Sequence, residues 1–283
     1  MAKKRATLTD LLNDLTFKCL FDKYKLIAMN AFEWEGLPDG LTARHIENVL
    51  FTHGKGVFFK HPSMSHLFLR ADADGRVNVY GDPLGYTAQG VGMTHRVRSD
   101  DCVIVENNML RLPTKNFLYL YVNKLTEIER TIDVNVKACK TPVIILCDDK
   151  DELSMKQAFA RIDGNTPAIF LDKSFNADNI KALDLKASFM ANDMTEYKHT
   201  VESDLLTFLG INNTPIDKRE RLITDEANAN NQLIESFFEI QLEARQRACE
   251  QINEKYGLKI SVRRRVTRSN DQIEEVTDDD PVL

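Results

Sequence analysis

Two long apolar stripes, set either side of a short insert, constrain this 283-residue chain more than any other feature. Pro113-Thr114 opens a run in which Leu118, Tyr121, Leu125, Ile128 and Ile132 follow one another by steps of three and four. That spacing holds one apolar seam on a helix and suits packing against a second helix at a shallow angle. The run stops at Thr141-Pro142, because a residue before proline is driven out of the helical region. Met190, Met194, Tyr197, Val201, Leu205 and Phe208 predict a second long helix, from about Ala187 to Leu209. Two such helices joined by a compact insert fold back as antiparallel neighbours, with the insert at their far end. The insert reads as a small α/β piece. It has a strand at Val143–Leu146, an Asp151-capped helix carrying Leu153, Ala158, Phe159 and Ile162, a Gly164-Asn165 turn and a strand at Ala168–Leu171.

The flanks differ in texture. Leu8, Leu12, Leu15 and Cys19, with Leu20, Tyr24, Ile27 and Ala31, predict a first helix stopped by Gly36, Pro38 and Gly40. From Leu50 to Leu112, glycines and prolines punctuate short apolar runs at 57–59, 67–69, 77–80 and 103–105, which predicts a strand-rich region with a turn at Asp74-Gly75. After Gly210–Pro215, Asp217 to Glu220 predicts a helix start. The stretch TDEANANNQ, residues 224–232, has no large apolar residue and predicts a mobile loop inside that helix. Leu233, Phe237, Ile240, Ala244, Ala248, Ile252 and Tyr256 resume it, and Gly257 suits a C-cap. A strand is expected at 258–266, then a disordered acidic tail.

Composition excludes several classes. With 43% hydrophobic residues the chain can build a core, and no apolar run approaches the length of a membrane span. No apolar segment follows the basic N-terminus, so no secretory signal is expected. Five scattered cysteines without a CxxC pair read as reduced thiols. The net charge of −6 is uneven. Lys3, Lys4 and Arg5 form a basic tip; Lys259, Arg263, Arg264, Arg265 and Arg268 form a second basic cluster; residues 271–280 hold six acids and no base. Such a chain meets nucleic acid at chosen places without adhering everywhere, although both clusters also suit merely solvated ends.

Catalytic motifs are not found. Gly54-Lys55-Gly56 lacks the spacing and hydroxyl of a phosphate loop, and no HExxH or GxSxG is present. His61 and His66 have poor metal spacing, and Asp72–Gly75 lacks the glutamate a calcium loop needs. The acidic run Asp148, Asp149, Asp151 and Glu152 suits a solvated edge better than a metal site, which needs carboxylates converging from several elements. No cofactor or metal is expected. Two other readings stay open: a metal-dependent nucleic-acid enzyme using those four acids, and a non-catalytic coiled-coil adaptor using the 118–132 seam.

An ordered set of segments resembles one family: FEWEGLP (32–38), NNMLRLPT (107–114), KTPVIIL (140–146), LSMKQAF (153–159), GNTPAIF (164–170), TFLGI (207–211), KRERLITDE (218–226) and ACEQINEKYGL (248–258). Together they resemble the upper collar protein, the portal or head–tail connector, of small short-tailed bacteriophages of the Picovirinae type. The resemblance implies an α+β fold, mainly helical, with long stem helices, a small α/β clip and a strand-containing wing. It implies a flexible arm at 1–13, a wing at 14–112, stem helices at 113–140 and 185–210, and a clip at 141–184. A wing helix follows at 211–266, carrying a tunnel loop at about 224–246 and a C-terminal strand, with an acidic tail at 267–283.

The function implied is a dodecameric ring at one capsid vertex, in the virion after assembly in the host cytoplasm. Double-stranded DNA would pass through it during packaging and ejection. The implied partners are the major capsid protein, a packaging ATPase with or without packaging RNA, and a lower collar or tail protein, with no membrane. Lys198 matches a channel-facing lysine of the family; Asn228, Asn230 and Asn231 fall in the tunnel loop; Lys3, Lys4 and Arg5 match a nucleic-acid-touching arm. No catalytic residue is implied.

Overall fold

The computed structural model describes residues 8–140, 143–146, 181–184, 190–213 and 224–265, with side chains described for 14–137, 190–213 and 230–265. The chain divides into two compact units. The smaller comprises residues 1–17, 123–203 and 215–217; the larger comprises 18–122, 204–214 and 218–283. The fold is α+β, as expected.

The larger unit is organised by a five-stranded antiparallel sheet of order β5-β4-β3-β2-β6. Its strands are β2 (Lys55–His61), β3 (Ser65–Ala73), β4 (Gly85–Gly90), β5 (Met93–Arg98) and β6 (Cys102–Glu106). Strand alternation sends side chains to two faces. Phe58, Phe68, Val103 and Val105 join one core with Ile46, Leu50, Phe238, Leu242 and Ile252. Val57, Phe59, Ala71, Tyr86, Ala88, Val97 and Cys102 make a second core. β2 is therefore apolar on both sides, which fits its interior position between β3 and β6. Of the four strands expected here, those around 57–59, 67–69 and 103–105 form. Residues 77–80 do not: Val79 and Tyr80 are 92% and 87% exposed. The Asn78 side-chain oxygen instead accepts the backbone N–H groups of Tyr80 and Asp82, both at 2.9 Å, holding a loop. Two strands beyond those expected, β4 and β5, follow this loop.

Helix α1 (Leu8–Met29) ends seven residues before Gly36, where Asn30 Nδ2 donates to the Leu26 carbonyl at 2.8 Å. This leaves residues 32–35 free to form β1 (Phe32–Glu35), which pairs antiparallel with β9 (Ser261–Arg264). β9 confirms the expected C-terminal strand. An unexpected helix, α2 (Ala43–His53), begins at Thr42, whose hydroxyl accepts the His45 N–H, and ends at Gly54 in the left-handed region (φ +77°). A Cβ at Gly54 would overlap the Arg111 carbonyl oxygen at 2.2 Å, so only glycine fits.

Helices α3 (Thr114–Lys140) and α4 (Ala191–Phe208) match the two predicted long helices. Leu118, Val122, Leu125 and Ile128 form the buried seam of α3, with Val122 taking the place expected of Tyr121. On α4, Val201 and Leu205 are buried, whereas Tyr197 is 53% exposed and Met190, the residue just before the helix, is 44% exposed. β7 (Val143–Leu146) forms as expected and pairs with β8 (Lys181–Asp184). The helix expected from Asp151, the strand at 168–171 and the helix start at 217–220 lie outside the described residues.

Helix α5 (Thr224–Tyr256) is continuous, which corrects the loop expected at 224–232 and the longer loop implied over about 224–246. A solvated helical turn needs no large apolar residue, so TDEANANNQ reads the same either way. Asp225 and Glu226 favour the first turn, and each asparagine costs only roughly 0.5–0.7 kcal/mol against alanine. The second half of the expected stripe, Ala244, Ala248 and Ile252, is buried together with Arg245 and Cys249, but the first half is displaced: Ile234, Phe238 and Leu242 are buried, leaving Leu233 and Ile240 about half exposed. Gly257 caps the helix as predicted, at φ +68° with its N–H on the Asn253 carbonyl.

Burial sets the thiol chemistry. It pushes the Cys102 thiol up to about 11 and the Cys249 thiol up to about 12, while Cys19 is exposed. Only the thiolate is nucleophilic, so at pH 8 both buried thiols stay protonated. Cys19 should therefore react with N-ethylmaleimide in the native protein, and Cys102 and Cys249 only after denaturation, as read by peptide mass spectrometry. The unfolded thiols ionise near their ordinary value of 9 while the folded ones hold their protons. Their contribution to stability is thus intact below pH 9 and declines as pH rises towards 11–12.

Candidate functional site

Lys198 lies midway along α4, in the smaller unit. Its Nζ sits 2.6 Å from Glu129 Oε1 on α3, with the two side chains 26% and 31% exposed. In the same unit the Met190 N–H donates to Asn135 Oδ1 at 3.0 Å. As the α3 number rises from 129 to 135, the α4 number falls from 198 to 190, so the helices are antiparallel. In the larger unit, Phe117 of α3 stacks on Phe208 of α4 at 4.3 Å between ring centroids. Lys198 is therefore a half-solvated cation with a built-in acidic partner. Such a pair stabilises the fold by no more than about 1 kcal/mol, and a competing anion can displace its carboxylate.

Asn230 and Asn231 belong to the larger unit, on the first turns of α5. Asn230 Nδ2 donates to Asn213 Oδ1 at 3.1 Å, and Asn213 Nδ2 donates to Thr207 Oγ1 at 3.0 Å. Asn231 is exposed. Asn228 is helical, but its side chain lies outside the described residues, as do Lys3, Lys4, Arg5, Asp148, Asp149, Asp151 and Glu152. Among the described residues, no three His, Cys, Asp or Glu side chains converge to hold a metal, and no helix is long and apolar enough to cross a membrane.

The best-built polar cluster was missed from sequence. Arg245, 2% exposed on α5, makes a fork to Glu47 of α2: Nε to Oε1 at 2.9 Å and Nη2 to Oε2 at 2.8 Å. The same guanidinium donates to Asn107 Oδ1 at 3.0 Å, the Asn107 carbonyl at 3.3 Å and the Gln241 carbonyl at 2.9 Å. Its central carbon lies 3.9 Å from the centre of the Phe32 ring. Trp34 Nε1 donates to Glu47 Oε1 at 2.9 Å. Asn107 Nδ2 in turn donates to the Leu112 carbonyl and to Thr114 Oγ1, the first residue of α3. Arg111, at φ +58°, closes this loop by donating to Glu106 at 2.6 Å, which holds its guanidinium protonated more firmly than usual. The cluster clamps the root of the long helix α3 to α2, β1 and α5. The available signal was a lone arginine at a buried-stripe position of an amphipathic helix. Trp34 and Asn107 come from the FEWEGLP and NNMLRLPT segments, so two of the segments that carry the resemblance meet at one buried fork.

A family model described as "Phage Connector (GP10)" matches residues 4–268. The chain belongs to the phage connector family. The portal protein of Staphylococcus phage 44AHJD is 25% identical to this connector over 166 residues, covering 57% of this chain and 66% of that protein, just under two thirds of its length. Among solved structures, one from the portal and tail of native bacteriophage P68 matches with a TM-score of 0.50 at 16% identity, covering 98% of both chains. That likeness concerns the fold, and it runs through both units.

Proposed function

We propose that this connector is the subunit of a twelve-membered portal ring of the Picovirinae type, set at one capsid vertex. Double-stranded DNA passes through the ring during packaging and ejection. The observation that carries the reading is the family match from residue 4 to residue 268, which spans both units and the antiparallel pair α3–α4. On this reading α3 and α4 are the stem, and the β7–β8 region is the clip that meets the packaging ATPase and the lower collar or tail protein. The larger unit is the wing that meets the capsid protein. Lys3, Lys4 and Arg5 supply phosphate contacts from the arm.

The charge fits transport. A basic lumen would bind phosphate strongly by counterion release and stall movement. Twelve acidic subunits repel the duplex overall, and a ring of Lys198–Glu129 pairs offers cations that are neutralised when no phosphate is near. The exposed Asn231 gives α5 an uncharged hydrogen-bonding group for the same duplex. Energy for packaging comes from the partner ATPase.

Native mass spectrometry with negative-stain imaging tests the assembly. A particle near 388 kDa, twelve times 32.3 kDa, with a stained central hole is the expected result. A monomer or dimer at every salt concentration, without a pore, would overturn the ring.

A further inference from the structure

An open groove of about 490 Å³ in the larger unit is lined by α1, β1, α2 and the residue that follows β9. Lys25, Arg44 and Arg265 supply its positive charge, opposed by Asp22 alone, while Leu26, Met29 and Phe32 supply apolar surface. Leu26 is 65% exposed, so part of that apolar surface is open to solvent. Neighbouring basic residues are consumed by the fold: Arg263 pairs with Glu33 and Glu35, and Arg264 pairs with Glu235. Among the described residues, neither Arg44 nor Arg265 has a carboxylate within ion-pair distance, and Lys25 only faces the Phe51 ring at 5.4 Å. Three cations and an apolar wall are thus assembled in one place with a single carboxylate, Asp22, to oppose them.

We infer that this groove is the docking site for the acidic segment Asp271–Asp280 of the same chain. Three observations choose that occupant. The Arg265 N–H is fixed to the Ala31 carbonyl at 3.0 Å, so the chain leaves β9 at the edge of the groove that Arg265 lines. The six residues from Arg265 to Asp271 span up to about 20 Å when extended, ample to turn back along it. The segment carries six acids and no base, and Ile273 and Val276 flank Glu274 and Glu275, so its mixed character matches the mixed lining. A nucleic-acid backbone would match the cations but leave Leu26 and Met29 uncovered. The tail then acts as an electrostatic strap: it neutralises a basic patch that phosphates would otherwise occupy, and it holds β9 against β1. The inference does not depend on the ring or on DNA passage.

Hydrogen exchange on the full chain tests it. At low salt, amides of 273–276 should exchange about tenfold more slowly than an unstructured peptide, the effect of a few exposed ion pairs acting together. About 0.5 M salt should remove the protection. Replacing Asp271→Asn, Glu274→Gln and Glu275→Gln together should remove it as well, and so should Arg44→Glu with Arg265→Glu. Should the groove variant fail to fold, the salt series and the tail variant still decide the matter. Tail amides exchanging at the unstructured rate in the unaltered protein overturn the inference. So does protection of the groove by added duplex DNA while the tail stays free. Zero-length carboxyl–amine cross-linking of Lys25 in a mixture of ¹⁴N and ¹⁵N chains should give only like-isotope products. Mixed-isotope products would overturn docking within one chain.

Discussion

Arg245→Ala is expected to destabilise the larger unit by about 3–5 kcal/mol, the range for breaking one side of a buried ion pair. Glu47 is 3% exposed, and the loss of Arg245 leaves its carboxylate with the Trp34 indole N–H as its remaining described donor. The Asn107 side-chain oxygen and carbonyl lose a donor in the same step. Trp34 is the sole tryptophan and touches Glu47, so its fluorescence during denaturant unfolding reports directly on the cluster. Arg245→Lys keeps the charge without the planar fork and should fall between the alanine variant and the native protein. Arg245→Met combined with Glu47→Leu should be less destabilised than Arg245→Ala alone, because no buried charge is then left unpaired. A loss below about 1 kcal/mol for Arg245→Ala would show that Glu47 finds water or another donor, and that the fork is not the clamp at the root of α3.

The elements that were legible in sequence were those whose signal is local. Pro113 and Pro142 bracket α3, and the three-four spacing from Leu118 to Ile128 survives into the buried seam with a single exchange, Tyr121 for Val122. Gly257 announced the end of α5 because a left-handed cap has few alternatives. What failed needed knowledge of partners. TDEANANNQ looks like a loop because an exposed helical turn and a loop share a composition, and only the contacts that begin at Asn230 and Ile234 separate them. Residues 77–80 carry β-branched and aromatic side chains, yet Asn78 captures the backbone donors that a strand would have used. α2 was missed because its last turn, from Leu50, falls within the stretch expected to be strand-rich, although Thr42, Ile46, Val49, Leu50 and Gly54 form a complete helix sentence. The Arg245 fork joins residues separated by 198 and 138 positions, and no local pattern pairs them. Lys198 was named by resemblance alone. Its acid partner, Glu129, follows from the antiparallel register of α3 and α4, which the sequence implied without fixing.

That register makes the Glu129–Lys198 pair the sharper probe of transport. Glu129→Gln removes the carboxylate 2.6 Å from Lys198 and leaves the lysine charge uncompensated at that position in every subunit of the proposed ring. DNA should then be retained more strongly, and the salt dependence of its association should steepen by about 0.9 for each released lysine that meets a phosphate. Lys198→Ala should act in the opposite direction, because it leaves Glu129 to repel the duplex. The double substitution restores neutrality and should return retention towards the native value. Stability should change by no more than about 1 kcal/mol in each case, since both side chains are partly solvated, so rings should form throughout. Retention and the salt slope, measured on purified rings over a salt series, separate this from a structural role. A merely structural pair would shift all three variants the same way in stability and leave the slope unchanged. Opposite shifts for Glu129→Gln and Lys198→Ala, cancelled in the double variant, require that the charge at this position is sensed by the DNA itself.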